Sequence, residues 1–239
     1  RPMNSIRQSS SRSAQRQHGL SLVEILVALV ISLFLMVGVI QLFIGSKQTY
    51  RFHDALSRVQ ENGRFALEAM ARDIRMAGYQ PVGGTATITP IAGTGNDQIT
   101  VAWSNDGVNL VTRAYSVGTG ASGKPALFLQ RQGDASAQEL VEGVVQMQIS
   151  YGEDTTAPDP DGVADQYRLA GNVVDWARVV SVRVDLLLAS VQENIIPEYE
   201  PNTIIFPYAG SLNSATVTVP NRRLPLIFST TVGIRNRIH

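Results

Sequence analysis

The stretch LSLVEILVALVISLFLMVGVIQLFI, Leu20 to Ile44, carries one charge in 25 residues, Glu24. A helix of that length spans roughly 37 Å, enough to cross the hydrocarbon core of a bilayer. Ahead of it lie Arg1, Arg7, Arg12 and Arg16 with no acid, and after it the sequence becomes mixed and charged. That excess of arginine predicts a cytoplasmic N-terminus, with everything beyond about Ser46 across the membrane. A secretory signal has a shorter apolar core and a small-residue cleavage site after it. Here the small residue at the boundary is Gly19, ahead of the run. Cleavage there would leave the apolar segment on the product.

Glu24 is the anomaly in this run. A carboxylate within an apolar span costs roughly 2.5–3.5 kcal/mol at mid-helix and less near the end. One reading makes it an interfacial acid one turn into a helix, partly offset by the N-terminal dipole. The other starts from His18-Gly19-Leu20-Ser21-Leu22-Val23-Glu24, where basic sequence meets apolar. Cutting after Gly19 makes Leu20 a new N-terminus and Glu24 the fifth residue of the product. The freed α-amino group, which ordinarily titrates near about pH 8, is a cation suited to a carboxylate on an adjacent subunit in a low-dielectric bundle.

A glycine, four residues and a glutamate heading a long apolar helix resemble the type IV prepilin signature. The resemblance implies that a prepilin peptidase cuts after Gly19 and methylates Leu20, and that Glu24 serves subunit assembly. Phenylalanine is the commonest first residue in the family, so Leu20 departs from it, to another apolar side chain.

The helical pattern continues without a strong breaker from Leu20 to Ala77, with Gly78 placed as a C-terminal cap and Pro81 beyond it. Phe52, Leu56, Val59, Ala66, Met70, Ile74 and Ala77 recur at three- and four-residue steps and predict one buried stripe. Arg64, Glu68 and Arg72 fall four apart on the outer face and could pair. The segment Gln60-Glu61-Asn62-Gly63-Arg64-Phe65-Ala66-Leu67, continuing through Ile74 to Tyr79, resembles the PilW-type minor pilins in particular. The expected division is a leader (1–19), a membrane or filament-core half of the helix (20–45), an amphipathic half (46–78) and an extracytoplasmic head (79–239).

From Tyr79 onward the period changes to two. Strands are predicted over Gln98–Trp103, Leu110–Val117, Ala126–Gln130, Val144–Tyr151, Val179–Leu188 and Leu226–Ile234, with a short helical turn before Val144. Within Val179–Leu188, residues 180, 182, 184, 186 and 188 should face the core, with Arg183 and Asp185 on the other side. Asn194–Pro225, rich in proline and asparagine, reads as loop. An antiparallel sheet laid on the amphipathic half-helix gives an α+β, type IV pilin-like fold. Leu140–Tyr151 with Trp176–Leu188, and Arg222–Arg237, again resemble PilW-type proteins, whereas residues 80–139 resemble nothing identified.

Several motif-like segments have plainer accounts. Gly118-Thr119-Gly120-Ala121-Ser122-Gly123-Lys124 resembles a phosphate-binding loop, but Pro125 stands where Ser or Thr should bind magnesium. A hairpin loop accounts for it. Asp159-Pro160-Asp161-Gly162 fits part of a calcium loop, yet Ala157 and Arg168 occupy two principal ligand positions. A solvated acidic loop is expected there, with no metal. His18, His53 and His239 have no metal-binding partners at helical spacing, and the chain has no cysteine. Neither a cofactor nor catalysis is expected.

The chain as a whole is neutral, with 20 basic and 20 acidic residues, but beyond residue 19 it holds 16 basic against 20 acidic, a formal −4. That gives no general reason to bind nucleic acid. The resemblance implies a minor pilin that takes part in initiating pilus assembly and is incorporated at or near the tip. It also implies an inner-membrane location with a periplasmic head, then the pilus. Prepilin peptidase, other minor pilins, the major pilin and a tip adhesin would be its partners. Two alternatives stay open. One is a J-like minor pseudopilin of type II secretion. The other is a DNA-uptake or adhesive tip pilin, which could use a patch of Arg222, Arg223, Arg235 and Arg237.

Overall fold

A computed structural model describes residues 21–85, 89, 91–93, 98–197, 203–207 and 211–237. The chain divides into two compact units, one ending at Lys47 and the other spanning Gln48–His239. Helix α1, Leu22–Met76, begins in the first and ends in the second. In the first unit every described residue is exposed. In the second, α1 buries Val59, Ala66, Met70 and Ile74 from the predicted stripe, while Phe52 and Leu56 are half-buried. The helix stops where glycine was expected to stop it. Gly78 takes φ +75, Tyr79 N–H returns to Met76 O at 2.9 Å, and Gly78 N–H donates to Ala102 O at 2.8 Å.

Among the described residues, eleven strands make three antiparallel sheets. The first is a five-stranded meander of β1 (Ile91–Gly93), β2 (Gln98–Trp103), β3 (Val111–Thr119), β4 (Pro125–Arg131) and β5 (Gln138–Glu142). The second, ordered β11-β8-β6-β7, joins β6 (Val144–Glu153), β7 (Gln166–Arg168), β8 (Val179–Ala189) and β11 (Pro225–Gly233). The third pairs β9 (Thr203–Phe206) with β10 (Ala215–Thr218). One core unites the helix with the two larger sheets, taking Ala66, Met70 and Ile74 from α1, Ile99 and Leu127 from the meander, and Val184 and Leu186 from β8. Burying side chains of this size contributes roughly 1.5–3 kcal/mol each. The exposed Glu68–Arg72 pair, 3.6 Å apart, is worth tenths of that at best. Packing, and not the surface ladder, holds the helix.

Two local expectations are corrected. No helical turn precedes Val144. The chain runs through β5, turns at Gly143 and enters β6, passing from one large sheet to the other. Gly143 sits at φ +93, and a Cβ there would lie 2.7 Å from Ala189 O, so only glycine fits this corner. Its N–H donates to Pro125 O in the first sheet and its carbonyl accepts from Ala189 N–H in the second, both at 2.8 Å.

Asn194–Pro225 is not all loop. It contains β9 and β10, whose ribbon packs Phe206, with Val219 just beyond β10, against Leu187 and Ala189. In consequence β8 is buried on both faces. Asp185 is 2% exposed, held by Arg183 at 3.2 Å and by the Ser229 hydroxyl. Arg183 and Asp185, on the face of β8 that carries its charges, are paired with each other.

Candidate functional site

Gly19 and Leu20 lie outside the described residues. Glu24 stands in the first turn of α1, exposed, at the end where the helix dipole favours a carboxylate. It makes no hydrogen bond or ion pair among the described residues. The helix is long and apolar enough to cross a membrane, with its apolar window wholly uncovered by protein. Ser32, a polar residue inside that window, returns its hydroxyl to Ala28 O at 2.8 Å. An apolar environment therefore leaves no unmet donor there. The N-terminal half is built to meet an apolar surrounding and presents one carboxylate near its start.

In the second unit, α1 places Asp73 on the buried stripe between Met70 and Ala77. Asp73 is 7% exposed and accepts a hydrogen bond of 2.6 Å from the Tyr115 hydroxyl on β3. Arg113, two residues earlier on that face of β3, brings Nε to 3.6 Å from the same carboxylate oxygen. Its guanidinium also lies 5.8 Å from the centre of the Trp103 ring. Burial, reinforced by the hydrogen bond to Asp73, pushes the Tyr115 hydroxyl far above the ordinary tyrosine range, so it donates at any physiological pH. The trio locks the end of α1 to the five-stranded sheet.

Asp73→Ala is expected to lower stability by about 2–4 kcal/mol, since it strands a buried phenol and removes the carboxylate beside the Arg113 guanidinium. Asp73→Asn, which keeps an acceptor for Tyr115, should cost less. Denaturant unfolding of the full chain in detergent, followed by tryptophan fluorescence, measures both. Unaltered stability of Asp73→Ala would mean that the trio holds nothing together.

The acidic loop uses its carboxylates internally. Asp154 accepts from Gly162 N–H at 2.7 Å and Thr156 N–H at 3.0 Å, and Asp161 accepts from Val163 N–H at 2.9 Å. Glu153, 2% exposed, meets Arg168 at 2.9 Å and accepts from Asp175 N–H at 2.7 Å. Asp165 takes the Thr155 N–H and hydroxyl, which hold its carboxyl below the ordinary range. Its contribution is therefore present above the usual carboxylate pKa and lost as pH falls through the lowered one. Among the described residues no group of three acids or histidines is arranged to hold a metal. Calorimetric titration with calcium should show nothing tighter than roughly millimolar, the weak end for extracellular sites. A micromolar site would mean that these carboxylates turn away from their N–H donors.

Of the four arginines considered as an anion-binding patch, Arg223 is turned inward. Arg223 is 4% exposed, and its guanidinium donates to the carbonyls of Ser190 and Ala189. Burial lowers its pKa, the reverse of what an exposed anion-binding cation would show. The Arg222 guanidinium is hydrogen-bonded to Asn194, and the Arg237 side chain lies outside the described residues. The glycine-rich segment is the β3–β4 hairpin, with Gly123 at φ +75 and Lys124 donating to Val191 O.

Sequence reasoning missed the Asp73 trio, although a signal existed. Asp73 falls three residues after Met70 and four before Ala77, on the stripe itself, where an acid must find a buried partner. Residues 14–40, a span that includes Gly19, Leu20 and Glu24, match the prokaryotic N-terminal methylation motif. Residues 114–236, just over half of the chain, match the family described as type IV pilus-assembly protein W. A type IV-like pilin from Thermus thermophilus aligns at 14% identity and a TM-score of 0.44, over 76% of this chain and 98% of that one. No curated protein matches.

Proposed function

Because the chain belongs to the type IV pilus-assembly protein W family, we propose that this minor pilin takes part in initiating pilus assembly and is incorporated at or near the tip. Cleavage after Gly19 releases Leu20, which is methylated. Residues 20–45 then anchor the product in the inner membrane with the head in the periplasm. The helix later leaves the bilayer for a bundle of like helices, where apolar packing replaces lipid. In that bundle Glu24 is neutralised by the N-terminal amine of a neighbouring subunit, which offsets the cost of carrying a carboxylate into an apolar environment. Other minor pilins and the major pilin are the partners of the helix, and an adhesin is a candidate partner of the head.

The observation that carries this reading is the joining of a methylation-motif helix to a family-specific head in one chain. The size of the head favours initiation over building the shaft. Residues 79–239, folded into two large sheets and a covering ribbon, are a bulky domain to repeat along a slender filament. A few copies at one end avoid that crowding. Quantitative proteomics of sheared pili should find this chain as a small fraction of the major subunit. Near-equal abundance would make it a shaft protein and end the initiation reading.

A further inference from the structure

The outward flank of α1 in the second unit is hollowed twice, and the two hollows share Phe65 and Glu68. One, about 270 Å³, lies against the five-stranded sheet, with Arg113, Arg131, Leu129 and Leu140 in its wall. The other continues along the helix towards Ser57, with Phe228 of β11 on its side. From Ser57 to Arg72 the helix rises roughly 22 Å, longer than a small metabolite needs. Phe65 stands between the hollows, 53% exposed, an aromatic ring facing outward from an otherwise charged helix face.

The charges of the first hollow do not balance. Arg113 on β3 and Arg131 on β4 are direct cross-strand partners, the arrangement in which like charges repel. Asp73 attends to Arg113, but it is already engaged by Tyr115. Arg113 Nε is buried with no hydrogen-bond acceptor. Glu68 is matched by Arg72. Arg131 is exposed, and its guanidinium has no hydrogen bond or ion pair among the described residues. A carboxylate brought between the two arginines would relieve their repulsion and accept from both. Arginine and aromatic side chains are the residues that dominate the energetics of protein contacts.

We infer that this trough docks an apolar segment of another pilin subunit, with an Asp or Glu of that segment seated between Arg131 and Arg113 and its apolar residues on Phe65. The inference rests on the pilus-assembly reading, which supplies neighbouring subunits. It adds to that reading a contact made by the head, separate from the N-terminal helix.

The test uses the full chain in cells that make the pilus, with the photoreactive residue p-benzoylphenylalanine in place of Phe65. Mass spectrometry of the cross-linked product should show a peptide of another pilin containing Asp or Glu within an apolar stretch. Arg131→Glu should lower the cross-link yield at least about tenfold, as expected when a close charge pair becomes a repulsion. Arg131→Lys should keep most of it, with chain abundance in the membrane unchanged in both. Replacing the captured acid by Arg should restore the cross-link to Arg131→Glu. A yield indifferent to Arg131→Glu, a product with lipid alone, or a peptide without an acid overturns the inference. A cross-link only to a second copy of this chain overturns it too. Piliation of the deletion strain is scored in parallel: pili lost on deletion with a cross-link indifferent to Arg131 defeats only the docking, whereas normal piliation defeats the pilus reading.

Discussion

Strains lacking this chain are expected to lose nearly all surface pili while the major pilin remains abundant in the inner membrane. The expectation follows from where assembly is slow. Adding a subunit to an existing bundle buries its apolar helix against several neighbours at once, whereas the first few helices must leave lipid for an incomplete bundle. A starting complex removes that step, and losing one of its members reduces filament number far more than subunit supply. On this reading some filaments would start without it and be removed by retraction. Blocking retraction should therefore bring back a minority of pili. Microscopy of sheared filaments together with immunoblots of membrane fractions reads both quantities. Full piliation of the deletion strain would exclude a part in initiation. Absence of pili even with retraction blocked would point to a role in extending the shaft.

A second large effect is expected at Gly19. Any bulkier residue, Gly19→Leu for example, should leave residues 1–19 attached, since the peptidase must approach the backbone closely at the bond it cuts. The retained leader carries Arg1, Arg7, Arg12 and Arg16 at the head of the apolar helix. Moving even one such charge into an apolar core costs about 2.5–3.5 kcal/mol on insertion scales. The uncut chain also has no free amine next to Glu24. It should accumulate in the membrane with a folded head and be nearly absent from sheared pili. Intact mass spectrometry separates the two species, and the wild-type chain should begin at methylated Leu20. Cleavage after Ile44 instead would make the apolar run an ordinary export signal and remove the basis for assembly through the helix.

Much of this architecture was legible in the residues, because the strongest signals were local. The apolar run, the stripe from Val59 to Ala77 and the cap at Gly78 each follow from spacing along one helix. Strand β2 has the bounds read from its alternation, β8 runs one residue further than read, and β11 is shifted by one residue at both ends. What escaped depends on distant neighbours. The ribbon β9–β10 was hidden by the prolines around it, and its strands are evident only once Phe206 is seen packing on Leu187. Strand β5 reads poorly because its residues are mostly exposed or half-buried, leaving little apolar alternation. Asp73 and Tyr115 are 42 residues apart, and no periodicity connects them. The surplus of charge at Arg131 follows from the β3–β4 register, which no single strand displays.

The ring of Phe228 lies directly over Gly63, so close that a Cβ at Gly63 would stand 2.6 Å from it. These two positions, one in α1 and the other in the last described strand, are separated by most of the chain. A ribosome adding about 5–20 residues per second needs on the order of 10–30 s to pass from one to the other. Throughout that interval the flank of the helix around Gly63 has no lid, and β8 lacks the neighbour that β11 becomes. Closure of the core cannot finish before β11 has been made. The helix acquires its last cover only when the last described strand has been made, pairs with β8 and brings Phe228 onto Gly63.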